Sequence, residues 1–255
     1  MQDYRSFGDS DLVPPTEGGL VSDARTAWDY LISKGVRPGA ITVMGQSLGT
    51  GVSTALVASL ANEGTSPNAL ILVAPFSSIF ALLSTYRLAN LVPLLGPLRH
   101  VASVMAFFKP FLTTQFNTAE VIGAVTCPIL ILHAQDDNVI VHTHSKTLAG
   151  LLDHAHATEV SFEPLGGWGN VTRWARLGGG DVVLGEAVVG GHNNVRRDPP
   201  GSGAFLEADL ASLSGFQIGS TEVSAGLIRE TIHGEAKAAS RREPSVGGWE
   251  NLDKA

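Results

Sequence analysis

Ile41-Thr42-Val43-Met44-Gly45-Gln46-Ser47-Leu48-Gly49-Thr50-Gly51 runs from an apolar stretch of strand length into the start of an amphipathic one, and the change falls on a Gly-x-Ser-x-Gly pattern. A strand that turns sharply into a helix holds the central serine at the edge of a sheet, with its hydroxyl exposed and the helix N-terminus against it. Glycines are expected at both flanks, because a side chain at Gly45 or Gly49 would meet the strand or helix that the turn brings close. The chain holds 29 glycines, so the pattern alone is weak and its context gives it weight. The plainer alternative is a Gly-rich turn whose serine caps the helix.

Working outward, Ile41–Met44, Ala69–Ala74 and Pro128–His133 are continuous apolar runs of strand length, as expected of central strands covered on both faces, and Val182–Val189 is a fourth candidate. Between them, residues 19–33 place Leu20, Ala24, Ala27, Trp28, Leu31 and Ile32 on one helical face. Leu48–Leu60 and Ile140–Leu152 read as further helices. Strands alternating with helices specify an α/β fold, a mostly parallel sheet with helices on both faces. The glycine-rich stretch from Leu165 to Gly185, with Trp168 and Trp174, reads as a long surface loop before the last strand.

Leu88–Phe108 is apolar over about the length of a membrane span, yet Pro93, Gly96, Pro97, Arg99 and His100 interrupt it. It is expected to be a helical cap inserted over the carboxyl edge of the sheet, within about residues 76–120, whose apolar surface would suit peripheral contact with a membrane; ordinary buried helices are the alternative. Residues 1–195 form the expected domain. Residues 196–255 carry charge at about twice its density and hold one candidate helix, Ala204–Leu213, then little periodicity.

The 255 residues are 44% hydrophobic and 16% charged, which excludes a mainly disordered chain. A net charge of −7 without a basic cluster gives nothing to grip nucleic acid. The single cysteine, Cys127, excludes an intrachain disulfide and leaves too little thiol for a structural zinc site. The polar N-terminus has neither a secretory signal nor a transit peptide, and compartment and oligomeric state stay open.

A serine hydroxyl needs a histidine to take its proton and a carboxylate to orient that histidine. On this fold the acid and then the histidine follow the serine. Asp136 and Asp137, just after the third strand, are the acid candidates. Asp137 is favoured, which leaves Asp136 as a turn residue or supporting acceptor; both could instead cap the next helix. Of the eight histidines, His133 ends the acid's own strand and reads as a buried, hydrogen-bonded core residue. His142, His144, His154 and His156 form i, i+2 pairs that do not share a helical face, so metal binding there is not expected. His100 falls in the cap and His233 in the tail. His192, in Val189-Gly190-Gly191-His192-Asn193-Asn194, follows the last strand and lies at the edge where Ser47 and Asp137 lie. A plain loop histidine is its alternative reading.

These blocks resemble the α/β-hydrolases, and more narrowly the fungal relatives of membrane-associated lipases that cleave monoacylglycerols and lysophosphatidylserine. The similarity is carried by Asp3-Tyr4-Arg5-Ser6-Phe7-Gly8-Asp9-Ser10, Pro15-Thr16-Glu17-Gly18-Gly19-Leu20, residues 41–51, Leu72-Val73-Ala74-Pro75-Phe76-Ser77-Ser78, residues 128–137 and Gly190-Gly191-His192-Asn193. The resemblance implies an α/β-hydrolase fold, a Ser47, Asp137, His192 triad with the acid the second aspartate of the pair, and the Leu48 N–H as oxyanion donor, with Gln46 and Asp136 in support. It implies a small acyl ester or lipid substrate, no cofactor and no metal, and a full-length protein anchored in the endoplasmic reticulum membrane upstream of the hydrolase domain. Val141 stands where the family usually has proline, and residues 196–255 do not resemble its closing helix. Only 46 residues precede Ser47 and none form a His-Gly pair, so the first strands and the oxyanion loop that normally follows strand three are expected to be missing. Two classes therefore stand: an active serine hydrolase, with thioesterase or peptidase chemistry on the same triad, or a non-catalytic α/β-hydrolase fragment.

Overall fold

The computed structural model describes residues 4–85, 87–88, 92–93, 115–152 and 160–193. Most of the expected cap, the tail with its helix at 204–213, and His100, His154, His156 and His233 lie outside these residues.

Thr16 opens the first helix, α1 (Glu17–Ser33), by accepting the Gly19 N–H at 3.1 Å, with Glu17 in the acidic-favouring first turn. Its apolar stripe buries Leu20 and Trp28. There follow β1 (Thr42–Gln46), α2 (Leu48–Asn62), β2 (Ala69–Val73) and α3 (Ile79–Thr85), then a short antiparallel pair, β3 (Arg87–Leu88) and β4 (Val92–Pro93). The chain continues through α4 (Thr118–Val121), β5 (Ile129–Ala134), α5 (Thr143–Gly150), β6 (Val160–Pro164), β7 (Gly169–Trp174) and β8 (Val182–Ala187).

The main sheet has six strands in the order β1-β2-β5-β8-β7-β6. The β1-β2-β5-β8 pairings are parallel, and β7 and β6 add an antiparallel edge. Every residue of β2, β5 and β8 is buried, which is why these strands read as near-continuous apolar runs. On one face Leu70, Leu72, Ile129, Ile131, Val182 and Leu184 pack against Val57 and Ala58 of α2 and Leu148 and Ala149 of α5. On the other, Ile71, Val73, Leu130, Leu132 and Val183 pack with Trp168 and Leu165 from the β6–β7 connection, and no helix among the described residues joins that cluster.

Three sequence expectations change. Ile41–Met44 is not a central strand: β1 pairs only with β2 among the described residues, and Met44 is 41% exposed. The stretch from Leu165 to Gly185 is not a long loop, since it contains β7, the start of β8 and a short hairpin connection closed by Leu165 N–H to the Gly169 carbonyl at 2.9 Å. Gly169 has a packing purpose, because a Cβ there would run into the Glu186 carbonyl of the neighbouring strand. The third helix is also shorter than its apolar pattern, covering Thr143–Gly150 rather than residues 140–152.

Candidate active site

Ser47 sits between β1 and α2 with φ 51° and ψ −121°, a left-handed conformation that costs a non-glycine residue about 1–3 kcal/mol. Three bonds hold it there: its N–H donates to the Val73 carbonyl at 3.0 Å, and its own carbonyl accepts the Thr50 N–H at 2.9 Å and the Thr50 hydroxyl at 2.6 Å. A side chain at Gly45 would meet the Gly49 carbonyl and the Ser53 hydroxyl, so this glycine is required by close packing. Gly49 departs from the expectation: a Cβ there would meet only the Tyr4 hydroxyl, at 4.0 Å. The Ser47 side chain does not cap α2. Its Oγ lies 3.0 Å from His192 Nε2 instead. Leu48 is the first residue of α2, where a backbone N–H has no partner within the helix.

Parallel register brings the remaining groups to the same edge. Gln46 pairs with Val73, Val73 with Leu132, and Ala134 with Ala187, so the turns after β1, β5 and β8 emerge side by side. In the turn after β5, Asp137 is buried, and its Oδ1 accepts the Val139 N–H at 2.8 Å and the Ile140 N–H at 2.9 Å. Its Oδ2 is 2.9 Å from His192 Nδ1 and 3.3 Å from His133 Nε2. Burial alone would raise the pKa of this carboxyl, but His133, His192 and the two backbone donors hold it well below the usual carboxylate range. A carboxylate only accepts, so His192 Nδ1 carries the proton that faces Asp137, and the Nε2 lone pair faces the Ser47 hydroxyl.

The loop carrying His192 is tied at two further points. The Gly191 N–H donates to Asp136 Oδ1 at 2.7 Å, and Gln46 Nε2 donates to the His192 carbonyl at 3.4 Å. The structure thus brings Ser47, Asp137 and His192 into one chain of hydrogen bonds and puts Gln46 and Asp136 behind His192. Neither aspartate caps α5, whose N-cap residue is His142.

Of the other described histidines, His133 reaches this chain of hydrogen bonds at Asp137. His133 is fully buried and donates from Nε2 to the Ile140 carbonyl at 2.8 Å. His144 accepts at Nδ1 from the Ser77 hydroxyl at 2.9 Å and the Ser77 N–H at 3.3 Å, and burial together with His133 pushes its pKa down to about 4. Burial and Lys146 lower that of His142. The Cys127 thiol is packed in the core, where burial pushes its pKa up to about 11. Among the described residues no group of three or more His, Cys, Asp or Glu is placed to hold a metal, and no helix is long and apolar enough to cross a membrane. Two contacts had no signal in the sequence: His133 with Asp137, and Glu17 Oε2 accepting the N–H groups of Gln115 and Phe116 at 2.9 and 3.0 Å.

A strained serine between strand and helix, an acid after the strand two places along and a histidine after the next strand line one edge of the sheet in this chain, and the fold that carries them is shared with solved structures. An alpha-beta hydrolase from Vibrio vulnificus superposes over 87% of this chain and 61% of its own, with a TM-score of 0.54 and 24% identity. The fold is the α/β-hydrolase fold. Within it, the chain is similar in sequence to the lysophosphatidylserine lipase ABHD12 of Danio rerio, 36% identical over 152 residues, which are 58% of this chain and 38% of that protein. The Xenopus tropicalis ABHD12 is 33% identical over 169 residues, 64% of this chain and 42% of that one. The human protein ABHD12B is 31% identical over 158 residues, 60% of this chain and 41% of its own. This α/β-hydrolase chain therefore matches about two fifths of the length of these curated relatives. No protein-family model matches it.

Proposed function

We propose that this α/β-hydrolase is a serine hydrolase that cleaves the carboxylic ester of a lipid-like substrate, a monoacylglycerol or a lysophospholipid, through an acyl-enzyme. The observation that carries the reading is the hydrogen-bonded line from Ser47 Oγ through His192 to Asp137, with Ser47 held in a strained conformation and its hydroxyl withheld from capping. His192 Nε2 takes the Ser47 proton as Oγ adds to the ester carbonyl, and the Leu48 N–H faces the developing oxyanion. Collapse of the tetrahedral intermediate breaks the ester C–O bond, and the leaving alcohol takes the proton from His192. Water then repeats the sequence on the acyl-Ser47 ester, releasing the acid. Asp137 holds the histidine tautomer and stabilises the imidazolium.

Two observations support a lipid-like substrate. The relatives that the chain matches include lysophosphatidylserine lipases, and the edge that bears the site exposes Leu48, Val139, Val141, Val188 and Val189, each 37–63% accessible. An apolar rim of this kind favours an acyl chain or the surface of a membrane, so peripheral membrane contact belongs to the same proposal. The chemistry requires neither metal nor cofactor.

One observation favours the non-catalytic reading: among the described residues the Leu48 N–H is assigned as an oxyanion donor, and a second donor is not assigned beside it. Without such a donor, kcat falls by about 10² to 10³, or about 3 to 4 kcal/mol of transition-state stabilisation. Labelling separates the two readings better than turnover does. The folded chain is expected to react with a fluorophosphonate probe, and Ser47→Ala is expected to abolish the label. Folded protein that takes no Ser47-dependent label is the non-catalytic fragment. If it labels, hydrolysis of monoacylglycerol and lysophosphatidylserine compared with an acyl-protein thioester and a peptide decides the substrate class.

A further inference from the structure

We propose that His133 is a positioning residue for Asp137, closing a ring of contacts that fixes both oxygens of the acid. The inference rests on the serine-hydrolase reading for its kinetic consequences but not for its geometry. Ile140 is held at both ends of its backbone: its N–H donates to Asp137 Oδ1 at 2.9 Å, and its carbonyl accepts from His133 Nε2 at 2.8 Å. The third side of the ring is the 3.3 Å approach of His133 Nε2 to Asp137 Oδ2. The Nε2–H is aimed at the Ile140 carbonyl, so Oδ2 lies beside that bond and feels the positive end of the N–H dipole rather than a second full hydrogen bond.

The two halves of the ring do different things. The Ile140 bonds set the turn, and with it the plane of the carboxylate. The dipole draws charge toward Oδ2, the oxygen that His192 Nδ1 uses at 2.9 Å. A buried carboxylate that lost either constraint would rotate, and His192 would lose its aim at Ser47. His133 stands on the rigid central strand β5 and is itself fully buried, so the support does not move with the loop. Its Nδ1 is buried among the described residues with no hydrogen-bond partner, so the contacts of the ring all come from the other nitrogen.

Two variants of equal polarity and different reach test this. His133→Gln places an amide N–H about where Nε2 stands, whereas His133→Asn stops one atom short. On a soluble p-nitrophenyl ester, His133→Gln is expected to keep kcat within about threefold of the parent, and His133→Asn to lose roughly ten- to a hundredfold in kcat at unchanged KM, the scale set by a misplacement near 1 Å. In the proton NMR spectrum, the low-field signal of the His192 Nδ1–H is expected to persist in His133→Gln and to shift or broaden in His133→Asn. Equal kcat and equal low-field signals in the two variants would overturn the proposal, as would a loss carried by KM alone. His133→Gln failing to fold would also overturn it, because that variant keeps the bond invoked. So would His133→Asn failing to fold, which would make His133 a core residue only. The spectrum needs no turnover: a chain without Ser47-dependent label would refute the proposed function while the low-field signals still decide the role of His133.

Discussion

Asp137 performs two tasks with one carboxylate. Oδ1 closes the turn through Val139 and Ile140, and Oδ2 faces His192 and His133. Its depressed pKa gives the folded state a pH dependence whose sign is fixed. A group that is more acidic folded than unfolded contributes stability that is complete above its unfolded value, about 4, and is lost as pH falls below it. The parent chain is therefore expected to lose stability between about pH 4 and 2 more steeply than Asp137→Asn, which is less stable at neutral pH; urea melts at several pH values check this, and parallel curves would refute it. Asp136 acts differently, through the Gly191 N–H that leads into His192. An asparagine keeps an acceptor oxygen there and alanine does not. Asp136→Asn should retain most Ser47-dependent labelling, whereas Asp136→Ala should slow it about tenfold by loosening the His192 loop. Comparable loss in Asp136→Asn and Asp137→Asn would mean that the two acids share one role.

The junction of β1 and α2 makes a contrast between its two glycines. Gly45→Ala drives a methyl into the Gly49 carbonyl and the Ser53 hydroxyl, atoms on a helix that cannot move without displacing Ser47. A loss of about 1–3 kcal/mol and of most labelling is expected. Gly49→Ala places its methyl at no closer than ordinary contact, 4.0 Å from the Tyr4 hydroxyl, inside α2, where alanine favours helix over glycine by about 1 kcal/mol, so the variant should melt no lower than the parent. Thermal melts of the two variants decide it. The same elements show what a sequence makes legible. β2 and β5 were readable because burial on both faces leaves only apolar residues, and the Ser47 turn because strand, motif and helix coincide. β6 and β7 were not: every residue of β6 is exposed, and β7 mixes Asn170, Thr172 and Arg173 with only two buried positions, so neither shows a strand's apolar signature. His192 could be chosen by position, but the His133 contact depends on how the turn after β5 folds back on its own strand, and the Asp136 tie joins residues 55 positions apart; no local pattern records either.

At the scale of the whole molecule, the candidate site is a property of the sheet. Ser47 and His192 are 145 residues apart, and they meet only because β1, β2, β5 and β8 align in parallel register. Protection should follow that architecture. β2, β5 and β8 are wholly buried and each has a hydrogen-bonded strand on both sides, so their amides are expected to exchange only through global opening. Among the described residues β6 has one neighbour and no buried residue, with Phe162 64% exposed, so it should exchange orders of magnitude faster through local fraying. β1 and β7 belong between, and β1 matters most because it carries the approach to Ser47. Hydrogen exchange read by mass spectrometry on peptides from each strand orders them directly. With the order as expected, fluorophosphonate labelling should survive denaturant that has already released β6 and disappear together with the protection of β5. Protection of β6 equal to that of β5 would overturn the ranking and mean that its outer edge is covered in solution.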